Sequence, residues 1–364
     1  MKNTIGSAIT VTLFGESHGE AIGAVIDGIS PGIKVDFEYI SDKMAKRRPG
    51  GEFSTPRKEA DEVKFLSGVF NGYTTGTPIA LVIENGDTKS RDYKTISDVP
   101  RPSHADLSAQ YKYHGYQDYR GGGHFSGRLT APIVAAGALL ESALNKKGIT
   151  IASRVYALGG VYDEGELTTH NAESVDKNTI PTVSSEKGEL MLSALKNAKA
   201  CGDSIGGIIE AIAFGVPSGV GEPWFDSVEG VLSHLAFSIP AVKGVEFGKG
   251  FGIADMKGSE ANDAYRIRNG EIVTASNNNG GIIGGITVGA PIVMRTALKP
   301  TPSIYKEQKS VKLSDMTETD LTVSGRHDPT VVLRARAVVE AVMAIGLADM
   351  LTVKFGTDYL GTDI

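Results

Sequence analysis

Residues 129–148 read LTAPIVAAGALLESALNKKG, and this stretch decides the fold class. Leu129, Ile133, Ala136, Leu140 and Leu144 recur at helical spacing and predict one apolar stripe. Lys146 and Lys147 give a basic last turn, and Gly148 supplies the stop. A second run, DPTVVLRARAVVEAVMAI at 328–345, repeats the pattern with Val331, Ala335, Val338, Val342 and Ile345. There Asp328 is a ready N-cap and Pro329 suits the first helical position. Both segments are Ala-rich and lightly charged, which suits core helices covered on both sides. Around them lie three short Ile/Val-rich runs that end in Gly/Pro turns: Ala21–Gly32, Ser204–Gly219 and Gly281–Pro291. These read as sheet strands closely approached by other backbone, as does Thr77–Glu84. The expectation is an α+β fold: a layered sandwich of core helices between mostly antiparallel sheets, built from two related halves. The whole chain, 1–364, reads as a single domain; the polar Thr168–Glu189 stretch, with Pro181, is the likeliest break in it or a surface excursion within it.

Composition narrows the function classes. The chain is 41% hydrophobic and 22% charged, so it can build a core. Its net charge of −6 argues against a general nucleic-acid binder. It has no signal-peptide core and no membrane-length apolar run, and reads as cytoplasmic. The one cysteine, Cys201, rules out an intrachain disulfide and reads as a small buried apolar residue. Glycine reaches 45 of 364 residues without low complexity, so this fold needs many tight turns or close backbone approaches.

Histidine and arginine collect in a few loops bounded by glycine or proline. These are Gly15–Gly19 with Ser17 and His18, the Lys46–Gly51 turn with Arg47 and Arg48, and Arg101–Asp106 with His104. Arg120–Arg128 contains Gly121, Gly122 and Gly123 followed by His124, Phe125 and Ser126. Gly325–Pro329 contains Arg326 and Asp328, and Lys299–Ser303 is a stiff cationic turn. Taken singly, each has a bland reading as a solvated charge, a turn or a cap. Taken together, cationic residues beside glycine at helix starts are what an anion site requires. Glycine lets a phosphate approach backbone N–H groups, the helix N-terminus adds partial positive charge, and Arg offers a planar fork. Several such loops in a net-acidic chain predict a focused pocket for a small polyanion. No metal-ligand spacing occurs among the seven histidines and one cysteine, and there is no P-loop. Gly15–Gly19 matches Gly-x-Ser-x-Gly in letters, but a strand-like run follows it where a nucleophile elbow needs a helix.

These motifs resemble the chorismate synthase family. Gly15–Gly19 followed by Val25-Ile26-Asp27-Gly28 resembles its first signature, and Tyr119–Gly123 with Ser126 and Arg128 its second. Gly325–Pro329 with Glu340 resembles its third, and the likeness spans Asn3 to about Leu351. Relatives often carry Arg-Ser-Ser-Ala where this chain has His124-Phe125-Ser126-Gly127, and Asn where it has Pro240. The resemblance implies conversion of 5-enolpyruvylshikimate 3-phosphate to chorismate by 1,4-elimination of phosphate. It also implies reduced FMN without net redox change, and a homotetramer with neither nucleic-acid nor membrane partner.

By the same resemblance the catalytic groups are Ser17, His18, His104 and Asp328. His18 faces the phosphate, His104 the reduced flavin, and Ser17 with Asp328 forms a proton relay. Arg47, Arg48, Arg101, Arg128 and Arg326 meet the substrate's carboxylates and phosphate. Flavin contacts fall at His124, Phe125, Ser126, Ala241, Gly284, Lys299, Pro300, Thr301, Pro302, Ser303 and Arg326. Arg47 is also the position of an NADP contact, with NADPH only a source of reducing equivalents. No metal is implied. The alternative class is a non-catalytic flavin or polyanion binder on the same fold. The potential proton-transfer groups Ser17, His18, His104 and Asp328 argue against it.

Overall fold

β-Branched runs with burial on alternate residues build two five-stranded antiparallel sheets. The computed structural model describes residues 2–48, 61–86, 97–323 and 328–361. Arg326, with the rest of 324–327, and 49–51 of the basic turn lie outside the described residues. In the first sheet β1 (Thr4–Ile5), β2 (Thr10–Gly15) and β3 (Ala21–Asp27) are followed across by β7 (Ile79–Glu84) and then β4 (Lys64–Phe65). A hairpin, β5 (Val69–Phe70) and β6 (Tyr73–Thr74), precedes β7. The second sheet runs β11 (Val242–Phe247), β16 (Ile292–Leu298), β10 (Gly207–Phe214), β8 (Thr150–Leu158) and β9 (Val161–Tyr162). Three further hairpins are β12 (Tyr265–Arg268) with β13 (Glu271–Thr274), β14 (Ile282–Ile283) with β15 (Ile286–Thr287), and β17 (Gln308–Lys312) with β18 (Thr317–Leu321).

Four helices fill the space between the sheets: α1 (Phe37–Arg47), α3 (Thr130–Lys146), α6 (Val228–Ser238) and α8 (Val332–Phe355). The outer helices are α2 (Asp106–Tyr113), α4 (Ala172–Asp176), α5 (Ser185–Ala200) and α7 (Gly258–Ala261). α3 packs on β2, β3 and β7 of the first sheet, and α8 on β8 and β10 of the second. One core cluster runs through both sheets and the helix layer. The α+β sandwich, with one sheet and one long core helix per half, is as the sequence predicts.

The helices are more deeply buried than a stripe implies. Every residue of α3 from Thr130 to Leu144 is buried, and every residue of α8 from Ala335 to Thr352. They cross with almost no side chain between them: a Cβ on Gly137 would lie 2.4 Å from Cβ of Ala341. The charges that share this interior are paired. Lys43 of α1 reaches Glu141 of α3 at 2.6 Å and Glu340 of α8 at 2.8 Å.

Three sequence expectations need correction. Asp328 is not the N-cap of α8, nor Pro329 its first residue; the helix begins at Val332 behind Val331, and its first N–H donates to the Thr330 hydroxyl at 3.3 Å. The Asp328 carboxylate is instead taken by Arg334 at 2.6 Å. Gly281–Pro291 is no sheet strand. Positive φ at Gly281, Gly284, Gly285 and Gly289 folds it into the β14–β15 hairpin, and the sheet strand begins at Ile292. Cys201 is exposed, because it ends the surface helix α5.

Candidate active site

The site forms where the ends of both core helices meet the glycine loops. Gly15–Gly19 is the turn between β2 and β3, so it is not a nucleophile elbow. Against it lies the 120–125 turn, in which Gly121, Gly122 and Gly123 take φ of +59°, +83° and +53°. Only glycine tolerates three such angles in succession. The Ser17 N–H donates to Gly123 O at 3.1 Å, and His124 Nδ1 lies 2.8 Å from Gly15 O. A Cβ on Gly121 would sit 2.2 Å from His18 Cε1 and 2.9 Å from Ser17 Oγ; one on Gly122 would sit 3.3 Å from His104 Cε1. The turn therefore has His18 and Ser17 packed against Gly121 and His104 against Gly122. Ser17 and His18 are both buried. The Ser17 hydroxyl makes no hydrogen bond with the described residues.

His104 belongs to a clamp. Its Nδ1 lies 2.6 Å from Asp106 Oδ1, and Arg101 donates from Nε and Nη2 to the two oxygens of Asp106 at 2.8 and 2.9 Å. Burial pushes the Asp106 carboxyl upward, but the hydrogen bonds and charges of Arg101 and His104 outweigh it. The group is held well below the usual carboxylate range. Arg101 Nη1 continues to Ser303 Oγ at 3.2 Å, and Lys299 Nζ donates to Ser103 O. These contacts bring the Lys299–Ser303 turn beside His104. Burial, with Lys243 close by, draws the Lys299 ammonium's pKa down. Thr301 Oγ1 is buried without a partner among the described residues, Pro300 packs on Gly206, and Pro302 O accepts from Gln308. Ala241, at φ +76°, accepts from Lys299 N at 2.9 Å. A cavity of about 250 Å³ opens here between His104, Asp106, Asp118, Gly122 and Phe125.

The arginines converge behind the glycine turn. Asp61 accepts from Arg47 Nη1 at 2.9 Å and from Arg128 Nη1. Arg47 is fully buried, which lowers its pKa to about 10, so it remains a cation at neutral pH. Its Nε reaches Thr130, the first residue of α3, and its carbonyl accepts from Arg334 in the first turn of α8. The N-terminal ends of α3 and α8 thus meet at Arg47, adding their partial positive charge to three guanidiniums. Arg334 then holds Asp328. Arg128 also donates to Asn85, whose amide ties back to Glu16 O and Gly19 O. Arg48 is half-buried, and its Nε has no hydrogen-bond partner among the described residues.

The structure thus gathers Ser17, His18, His104, His124, Arg47, Arg101, Arg128, Asp328 and the 299–303 turn. Ser126 caps the turn that leads into α3, and Phe125 stacks edge-on against Tyr113. Gly284 stands apart, in a hairpin whose next glycine packs on Glu222 and Ser227. Four residues that sequence reading passed over hold the rest in place: Asp61, Asn85, Asp106 and Arg334. Asp106 was legible as the acid sharing a proline-stiffened loop with Arg101 and His104. Asp61 and Asn85 carry no motif, because their partners are remote in the chain.

Comparisons with known proteins converge on one family. The model of the family described as chorismate synthase matches residues 9–352. The chain is 49% identical to the chorismate synthase of Pyrococcus abyssi over 346 residues, covering 95% of this chain and 96% of that one. It is 45% identical to that of Aeropyrum pernix over 357 residues, covering 97% and 93%. A crystal structure of chorismate synthase superposes with a TM-score of 0.76 at 31% identity, covering 97% of this chain and 94% of that one. The chain, by motif, length and fold together, belongs to the chorismate synthase family.

Proposed function

We propose that this site eliminates phosphate from 5-enolpyruvylshikimate 3-phosphate to give chorismate, with reduced FMN as cofactor. As a member of its family the chain is a carbon–oxygen lyase of the shikimate pathway. The observation that carries the finer reading is the triple-glycine turn packed against both His18 and His104, with the buried arginines close by. The residues present fit a flavin nucleotide. Thr301 Oγ1 and Ser17 Oγ are buried polar atoms with no hydrogen-bond partner among the described residues, so each can bond to a bound group. Lys299–Ser303, Ala241, His104 and His124–Ser126 would hold it. Reduced FMN, when bound, lends the electron density that lets phosphate depart and recovers it as the ring hydrogen is lost.

The chain's own residues supply charge and protons. Phosphate gains negative charge as it leaves, and an imidazolium at His18 stabilises it or hands it a proton. Arg48 Nε, without a partner among the described residues, is a donor for a substrate anion. Arg47 and Arg128, pinned by Asp61, act as a fixed positive field, and Arg101 acts through its clamp. Asp328, buried beside Arg334, and Ser17 are the groups to carry the ring proton onward. The reading includes one domain, supported by the continuous core, and a homotetramer. The latter is supported by Trp224 and Phe225, 85% and 93% exposed between the residues that the Gly284 hairpin touches. A cytoplasmic location fits a biosynthetic enzyme with one cysteine.

The test is an anaerobic assay with photoreduced FMN, beside an aerobic assay with NADPH and oxidised FMN. Chorismate is expected in the first, without stoichiometric loss of reduced flavin. The second separates outside reduction from an intrinsic reductase. Full turnover without flavin would overturn the reading.

A further inference from the structure

We propose that Asp106 is the positioning residue for His104: it holds the imidazole as the Nδ1–H tautomer and aims Nε2 at the triple-glycine turn. The inference rests on the reading of His104 as a proton-transfer group in the site above. It starts from a conflict of donors. His104 Nδ1 lies 2.6 Å from Asp106 Oδ1 and 3.0 Å from Arg101 Nη2. A proton on Nδ1 satisfies the first contact; a lone pair there satisfies the second. The Asp106 carboxylate has only lone pairs to offer, since it already accepts from Arg101 Nε, Nη2 and backbone N at 2.8, 2.9 and 3.0 Å. Two lone pairs do not meet at 2.6 Å, so a proton lies between Nδ1 and Oδ1. Arg101 loses little, because its Nη2 is already bonded to Asp106.

The opposite edge of the ring then has one exposed task. A Cβ on Gly122 would lie 3.3 Å from His104 Cε1 and 3.5 Å from Nε2, so that edge faces the turn and the cavity beyond it. Asp106 is itself fixed. It is the first residue of α2, where the helix dipole favours a negative charge, and its partner Arg101 is anchored at Ser303. Ser303, Arg101, Asp106 and His104 form a line of hydrogen bonds that ends at Nε2. An acid that orients a histidine without touching the reacting atoms is the arrangement of many hydrolase triads.

Asp106→Asn separates this from a merely structural acid. The two Arg101 donors claim the single amide oxygen, which turns the Asn N–H group toward His104. Nδ1 must then accept, and the ring proton moves to Nε2. In ¹⁵N-histidine-labelled protein, with His104 assigned through His104→Gln, we expect a protonated Nδ1 in the wild type and a protonated Nε2 in Asp106→Asn. Turnover should fall on the order of 10²-fold with little change in KM. Asp106→Glu should restore part of the turnover and of the Nδ1–H form. An Nε2–H ring in the wild type overturns the proposal even if the variant does not fold. So does a folded Asp106→Asn protein that keeps the wild-type tautomer. A His104→Gln protein with unchanged kcat overturns the underlying reading of His104 instead, whatever the tautomer.

Discussion

Gly121 shows how little room the chemistry leaves at the level of one residue. Its φ of +59° and the 2.2 Å approach of His18 mean that even a methyl group must displace the imidazole. Gly121→Ala should cost about 1–3 kcal/mol from backbone strain. It should lose far more activity than stability, which thermal melts set beside kcat/KM will show. Asp328→Asn asks a different question. Asp328 does not cap α8, so the substitution leaves the helix start intact and keeps an oxygen for Arg334. The protein should melt within about 1 kcal/mol of wild type, bind substrate and FMN, and lose most of its turnover; near-normal kcat would reduce Asp328 to an anchor for Arg334. The glycines and histidines of this site were legible because they are adjacent in sequence and chemically uncommon. Asp61 and Arg334 were not, since one surface acid or one helical arginine looks like any other until its partners are known.

At the scale of elements, the two core helices were readable from periodicity, and their ends were not. α8 starts three residues after Pro329, because the 328–331 segment turns to present Asp328 to Arg334. Nor did periodicity reveal that charges stitch the helix layer together. Burial penalises Lys43, but Glu340 and Glu141 outweigh that and raise its pKa, keeping it a cation. Ser153 of β8 donates to Glu340 and ties the second sheet to the same cluster. Lys43→Met would leave two carboxylates facing each other in the interior. The expected loss is about 3–5 kcal/mol, read as a lower urea midpoint. Lys43→Met combined with Glu141→Gln should recover part of it, and no recovery would argue against charge as the cause.

For the whole molecule, the depressed carboxylates set the acid limit. Asp61 and Asp106 are held low despite burial by their arginine partners, and Asp176, despite burial, is brought to about 2 by Arg336 and Lys46. Each contributes stability above its unfolded pKa near 4 and loses it as pH falls through the folded value. Glu141, pushed up by burial, runs the other way, but it is a single group. The melting temperature should therefore be flat between pH 7 and pH 5 and fall steeply below pH 4. A melt that stays level to pH 3 would mean that these ion pairs survive in the unfolded chain or are absent from the folded one. In the same solutions, light scattering at neutral pH should give four times the mass of one chain.

The contact of Gly137 with Ala341 works as a caliper. The two helices that touch there begin at the residues gripping Arg47, so their separation sets the gap between the loop that carries the glycine turn and the one that carries Asp328. A side chain inserted at 137 would touch nothing that binds or reacts. It would nonetheless open that gap at its far end, detuning every distance in the site at once while each of its residues remained in place.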